Sequence, residues 1–126
     1  MNQQLALSTL LVGHYDQAIA WYTETLGFEL RADIHQGAGK RWVVVAPRGC
    51  QAGLVLALAT TVAQKGLVGE QTGGRVGFFL HTDDFARDHA AMSARGVRFS
   101  EAPRHEPHGT VAIFTDLYGT PWDLLE

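Results

Sequence analysis

The fold of this chain is decided by residues 14–30, HYDQAIAWYTETLGFEL, and by a weaker repeat at residues 83–99, DDFARDHAAMSARGVRF. In each copy a helix of about three turns ends at a glycine, Gly27 or Gly96, and leads into a β-rich stretch. The two copies agree in pattern more than in residue identity. The chain is therefore predicted to contain the same supersecondary unit twice.

The two helices have different sequence signals. Asp16 is predicted to be the N-cap of the first helix, in which Ile19, Tyr22 and Leu26 recur at helical spacing. Asp84 is predicted to cap the second helix, which runs through Arg95. The inner stripe of the second helix is predicted to consist of Phe85, His89 and Met92.

Strands are predicted around each helix from short apolar runs and flanking turn residues. They cover residues 5–12, 28–34, 41–46 and 53–59 in the first half, and residues 75–82, 97–100, 110–114 and 122–125 in the second. Residues 35–40 and 103–109 are predicted to be a turn and a loop. The fold class is α+β: a single domain, 1–126, of two βαβββ modules at about 5–60 and 75–126, with a connector at 60–74 that has room for one short helical turn.

One helix covers only one face of a four-stranded sheet. The other face must be covered by the second module or by another chain. Two such sheets side by side form a concave surface, where a small molecule would bind. A homodimer is expected for the same reason, because small chains often bury apolar faces by two-fold pairing.

Composition excludes several classes of protein. The chain has 126 residues, a net charge of −3 and no basic run, which argues against nucleic-acid binding. Cys50 is the only cysteine, so an intrachain disulfide is impossible. The apolar residues 5–12 lack a basic flank and read as a strand rather than a signal sequence, and no stretch is long enough to cross a membrane. A cytoplasmic location is expected.

Several short stretches together resemble the vicinal oxygen chelate superfamily, which includes glyoxalase I, extradiol dioxygenases and bleomycin-resistance proteins. They are residues 18–22 (AIAWY) before Leu26-Gly27-Phe28, Gly96-Val97 after the second helix, and residues 114–119 (FTDLYG) before Trp122-Asp123. The resemblance covers nearly the whole chain. It implies paired βαβββ modules that form a cup, commonly in a homodimer.

The resemblance also implies a divalent metal, bound by His, Glu or Gln from the first and last strand of each module. The matching positions fall at or next to Leu7, within residues 53–59, near Gly77 and at Asp123. Only Asp123 has a metal-binding side chain, and one carboxylate cannot hold a metal against water. A divalent metal is disfavoured, and no cofactor is predicted.

The polar candidates for a site are His81 and Asp123. Strand alternation places Phe79 and His81 on the same face as Gly77, where His81 could act as a general base or bind a ligand, or could simply bond a backbone carbonyl. Asp123 is predicted to face inward. Its partner would be His81, a bound cation or amine, or a structural arginine, Arg41 or Arg75.

The remaining candidate ligand contacts are apolar, and they are Leu7, Thr9, Leu11, Trp42 and Phe79. Trp42 could lie on either face of its sheet, whereas Trp122 is predicted to pack against the second helix. The residues His105, Glu106 and His108 are predicted to lie in a solvated loop rather than a metal site.

Two functions agree with these features. The first is a protein that binds a small, partly apolar molecule in the cup without a metal. The alternative is an enzyme of the same superfamily, lyase, isomerase or dioxygenase-like. Such an enzyme would depend on a metal or use His81 and Asp123 as acid and base.

Overall fold

The repeat predicted from the sequence is present in the computed structural model, which describes residues 1–126. Two compact units divide the chain, Met1–Val68 and Gly69–Glu126. The sheet of the first unit has the spatial order Leu7–Val12, Gly53–Leu58, Lys40–Ala46, Glu29–Gly37. The sheet of the second unit has the order Phe78–His81, Pro121–Leu125, Gly109–Thr115, Arg98–Phe99. In both sheets the first strand of the unit is parallel to its last strand. The two units therefore share one topology.

The elements of the first unit (Met1–Val68) follow the predicted order. They are β1 (Leu7–Val12), α1 (Tyr15–Ala20) with a π-helical turn (Trp21–Thr25), β2 (Glu29–Gly37), β3 (Lys40–Ala46), β4 (Gly53–Leu58) and α2 (Val62–Leu67). The helical turn expected in the connector is α2, whose capping box joins Thr61 and Gln64.

The start of α1 differs from the prediction. His14, with extended backbone, occupies the N-cap position and makes no side-chain cap. Asp16 lies inside the first turn, and its carboxylate accepts a hydrogen bond from the Arg41 guanidinium at 2.8 Å. A long-range ion pair therefore takes the carboxylate that was predicted to cap the helix. The end of the helix is as predicted, with Gly27 at φ +93°.

Strand boundaries in the first unit also differ in two places. β1 begins at Leu7 rather than residue 5, and β2 continues to Gly37, so the turn predicted at 35–40 contains only Ala38 and Gly39. Both turn residues have positive φ, 53° and 77°, as in the two-residue hairpins that match strand twist.

The core of the first unit lies between its sheet and α1. Alternate strand residues point toward the helix and are fully buried: Leu10, Val12, Val43, Val45 and Leu56. They pack with Ala18 and Tyr22 of the helical segment, which are also fully buried. The other face of the sheet, here called the helix-free face, carries the intervening residues.

The second unit (Gly69–Glu126) contains one more strand than predicted. Its elements are β5 (Phe78–His81), α3 (Phe85–Ala94), β6 (Arg98–Phe99), β7 (Arg104–Glu106), β8 (Gly109–Thr115) and β9 (Pro121–Leu125). The loop predicted at 103–109 is in fact a hairpin, because β7 pairs with β8 from Glu106↔Gly109 to Arg104↔Val111. The strand predicted at 75–82 is shortened to four residues.

The helix α3 has the predicted ends and packing. The Asp84 side chain accepts a hydrogen bond from the Arg87 backbone N–H at 3.1 Å, and Gly96 follows the helix at φ +99°. His89 packs between the rings of Phe85 and Phe99, with centroid distances of 5.4 and 4.1 Å. A packing histidine on the inner stripe is confirmed.

The turn before β9 is fixed by a buried aspartate. Asp116 Oδ1 accepts hydrogen bonds from the backbone N–H groups of Tyr118 and Thr120, both at 2.9 Å. Gly119 supplies the positive φ of 89° that the turn requires. This turn sets the register of β9, so that Trp122 is buried toward α3 and Asp123 points to the helix-free face. The predicted orientation of Trp122 is confirmed.

None of the helices is long and apolar enough to cross a membrane.

Candidate ligand-binding site

An exposed aromatic ring and a carboxylate lie side by side on the helix-free face of the second unit. The β5–β9 ladder pairs Phe79 with Asp123, and the β8–β9 ladder pairs Asp123 with Ile113. Phe79 is 64% exposed. Asp123 Oδ1 is buried and has no hydrogen-bond partner. An acceptor without a donor therefore lies between two apolar side chains.

Burial dominates the electrostatics of Asp123. It raises the pKa of the Asp123 carboxyl, because the charged form is poorly solvated there. The positive charge of Arg104 opposes this rise without a direct bond. The Arg104 guanidinium is instead bound by Glu101 at 3.0 Å and by Glu106 at 2.7 Å. Arg104 is thus already paired with two other carboxylates.

The predicted partners of Asp123 are bound elsewhere or make no bond to it. Arg41 donates to Asp33 at 2.7 Å and to Asp16 at 2.8 Å, two carboxylates of its own unit. His81 is exposed and stands opposite Leu125 in the ladder, and it makes no hydrogen bond to Asp123. No contact between His81 and Asp123 supports acid–base chemistry by this pair. That chemistry stays a prediction.

The helix-free face of the first unit carries the other predicted contacts. The register Leu7↔Gly53, Thr9↔Val55 and Leu11↔Ala57 places the three β1 residues on this face. Leu7 is 40% exposed. Trp42, which the sequence left open, lies on the same face, because Val44 two residues later pairs with Val55. Trp42 is 37% exposed. The ligand-contact role of these residues remains a prediction.

A cavity of about 640 Å³ opens in the first unit at the same end of the sheet as Trp42. Its walls come from β3, β4, the β2–β3 turn and α2, with Tyr15 at the start of α1. Neither Tyr15 nor Gln64 was predicted to be a site residue from the sequence. The Thr61-x-x-Gln64 pattern is a signal that could have located α2. Nothing local indicates that Tyr15 meets Arg41, which is 26 residues away.

The cluster of His105, Glu106 and His108 does not form a metal site. His105 Nδ1 lies 3.2 Å from Thr110 Oγ1, and Glu106 is bound to Arg104. No group of three or more His, Cys, Asp or Glu side chains in residues 1–126 could hold a metal ion.

Comparison with known proteins identifies the family. The family model described as the Glyoxalase/Bleomycin resistance protein/Dioxygenase superfamily matches residues 4–124. The chain belongs to this superfamily. The resemblance and the fold class predicted from the sequence are confirmed, since solved superfamily members have the same α+β fold.

Three similar proteins illustrate the relationship. An uncharacterized protein of Shewanella frigidimarina is 45% identical over 128 residues, which cover 100% of this chain and 95% of that protein. The crystal structure of UcmS2 has a TM-score of 0.87 and 30% identity, covering 99% of this chain and 98% of UcmS2. TnmS3, an antibiotic-binding protein from Streptomyces sp. CB03234, has a TM-score of 0.79 and 32% identity, with coverage of 98% and 95%.

The side chains present do not fit the metal that the superfamily resemblance implies. The matching positions carry Leu7, the strand Gly53–Leu58 without a ligand, Gly77 and Asp123. A side chain at Gly77 would collide with Thr72, whose Cγ2 lies 2.6 Å from the Cβ position. A single carboxylate remains, which is too few donors for a divalent ion.

Proposed function

We propose that this protein binds a small, partly apolar molecule on the helix-free faces of its sheets, without a bound metal ion. The observation that carries the proposal is the pair formed by Phe79 and Asp123. Neither an exposed aromatic ring nor a buried acceptor without a donor stabilises the fold. A bound molecule with a flat apolar body and a hydrogen-bond donor would cover the ring and satisfy the oxygen.

The similar proteins support this proposal at the level of class. TnmS3 is an antibiotic-binding protein, and it is 32% identical over almost the whole chain. The apolar contacts on the first unit, Leu7, Thr9, Leu11 and Trp42, suit an apolar ligand as well. His81, on the same face as Phe79 at the end of β5, is a candidate for a peripheral hydrogen bond to the ligand.

A matched pair of probes tests the proposal. The compound 2-naphthol presents an O–H donor on an aromatic body, and 2-methoxynaphthalene has the same body without the donor. In ¹⁵N NMR titrations of the whole protein, 2-naphthol should give saturable shifts at the amides of Phe79 and Asp123. Its affinity should fall about fivefold or more in Asp123→Asn and in Phe79→Ala.

The control variant is Val62→Ala, which truncates an exposed apolar side chain on α2. It should leave 2-naphthol binding unchanged. Absence of saturable shifts on either helix-free face at about 1 mM probe would refute the proposed function. Stoichiometric metal that survives dialysis, detected by elemental analysis, would refute its metal-free form.

We also propose that the protein is a homodimer. Leu30 and Ile34 are exposed on the single chain, at 43% and 58%, and two-fold pairing would bury such residues. Light scattering should give twice the chain mass of 13.7 kDa, and the mass of one chain at micromolar concentration would contradict the dimer.

A further inference from the structure

The cavity in the first unit lies beside the part of β3 and β4 that has no ladder pairs. The β3–β4 ladder contains only the pairs Val44↔Val55 and Val45↔Leu54, although both strands continue beyond them. The Arg41 backbone N–H donates to the Tyr15 hydroxyl at 3.1 Å. The Tyr15 side chain of α1 is thus bound to β3 next to the cavity.

Contacts of Arg41 hold the residues beside the cavity in place. The Arg41 guanidinium lies 5.1 Å from the centre of the Tyr15 ring and is bound by Asp16 and Asp33. Both carboxylates are therefore used by Arg41, and neither lines the cavity. The volume of about 640 Å³ is within the range of small-molecule sites, about 300–1,000 Å³. The opening is thus a built feature of the first unit.

Several polar side chains around the cavity have hydrogen-bond donors without an acceptor. The Gln64 side-chain oxygen accepts from Thr60 and Thr61, which leaves its NH₂ group without an acceptor. The Tyr15 hydroxyl accepts from Arg41, so its own proton is not used in that bond. Lys40 makes no ion pair, and the Trp42 indole N–H makes no hydrogen bond. No Asp or Glu lines the cavity.

The apolar lining comes from Leu56, Ala57 and Leu58 of β4 and from Trp42 of β3. Leu56 points toward α1, whereas Ala57 and Trp42 lie on the helix-free face. Unused donors and a free ammonium beside the Trp42 ring favour a ligand that is flat, apolar and rich in acceptors. This is the reverse of the Phe79–Asp123 face, which offers an acceptor.

We propose that the cavity is a binding site for an aromatic molecule that carries a carboxylate or another anionic oxygen, with Lys40 as the counter-charge and Trp42 as the stacking surface. This inference rests on the proposed ligand-binding function and specifies the chemistry of the ligand that the first unit would bind. The cavity differs from the helix-free faces in being lined by Tyr15, Gln64 and Thr60 as well.

Two probes with one body and opposite charge test the inference. Titration of the ¹⁵N-labelled protein with 2-naphthoate should give saturable shifts at the amides of Gly39, Ala57 and Thr60. Its affinity should exceed that of 2-naphthylmethylamine by about tenfold or more, because the cavity has a positive charge and no carboxylate. Trp42→Ala should reduce 2-naphthoate affinity about tenfold.

The chain has only two lysines, and they provide a matched control. Lys40→Gln should weaken 2-naphthoate binding about two- to fivefold. Lys65→Gln removes the same charge from α2, outside the cavity lining, and should have no effect. Equal affinity for the two probes, equal effects of the two lysine variants, or shifts confined to the second unit would overturn the inference.

These results separate the inference from the proposed function. If 2-naphthol binds at Phe79 and Asp123 while 2-naphthoate fails in the cavity, the inference is wrong and the proposed function stands. If neither probe binds, both are wrong. Unchanged far-ultraviolet circular dichroism in each variant is required, and Trp42 and Lys40 are both exposed enough for substitution without loss of the fold.

Discussion

Asp123→Asn should make the protein more stable at pH 8 while it weakens ligand binding. In the wild-type protein the ionised carboxylate keeps one buried oxygen, Oδ1, without a donor. An unsatisfied buried polar group costs about 1–3 kcal/mol. Asparagine keeps the shape and removes the charge, but its amide oxygen is equally unsatisfied. Only part of the cost is therefore recovered.

The expected gain is about 1 kcal/mol, at the low end of that range, for two reasons. Only one of the two carboxylate oxygens is in the buried, unpaired state. The positive charge of Arg104 also favours the ionised form of Asp123 to some extent. For a chain of 126 residues, this gain corresponds to a rise in Tm of about 3–5 °C.

The gain should depend on pH with a definite sign. Burial raises the pKa of Asp123 in the folded state above its unfolded value of about 3.9. The folded protein therefore binds the proton more tightly, and the wild type loses stability as the pH rises through this window. The difference in the free energy of unfolding between Asp123→Asn and wild type should be near zero at about pH 3.5. It should reach its full size above the folded pKa of Asp123.

Urea denaturation followed by circular dichroism, at steps from about pH 3.5 to pH 8, measures this difference. The control is Glu24→Gln, which removes an exposed carboxylate and should change stability by less than about 0.5 kcal/mol. A loss of stability in Asp123→Asn at pH 8, or a gain that does not change with pH, would refute the reasoning. A gain would indicate that the carboxylate is retained for binding rather than folding.

Three further variants test the architecture. Arg41→Gln should lower the denaturation midpoint near pH 7, and this loss of stability should become smaller below about pH 4. The hydrogen bond from Arg41 lowers the pKa of Asp33, so its stabilisation is present above the unfolded pKa of Asp33 and is lost as the pH falls through the folded pKa. A loss of stability that does not change with pH would contradict this reasoning. Gly109→Ala should cost more than about 3 kcal/mol, because its φ is +135° and a Cβ would overlap the Glu126 carbonyl oxygen. Gly119→Ala, with φ +89° and open space, should cost only about 1 kcal/mol, and equal losses in the two variants would contradict this account.

The sequence by itself determined the repeated module and the faces of its elements. The Asp84 cap and the glycines Gly27 and Gly96 are encoded within one helical turn, so local pattern is sufficient to find them. Alternation in β9 was likewise sufficient to place Trp122 toward the helix and Asp123 on the opposite face. The helix ends and the strand faces both follow from residues that are close together in the sequence.

Tertiary structure decided which polar groups pair and how far the β3–β4 ladder extends. Asp16 looked like a helix cap, but Arg41, 25 residues away, binds it and leaves His14 at the cap position. The hairpin in residues 103–109 formed because β8 offered a pairing edge to a stretch with loop-like composition. The unpaired oxygen of Asp123 and the short β3–β4 ladder have no local signal at all. They depend on groups far apart in the sequence, whose distances are fixed only when the strands and helices pack.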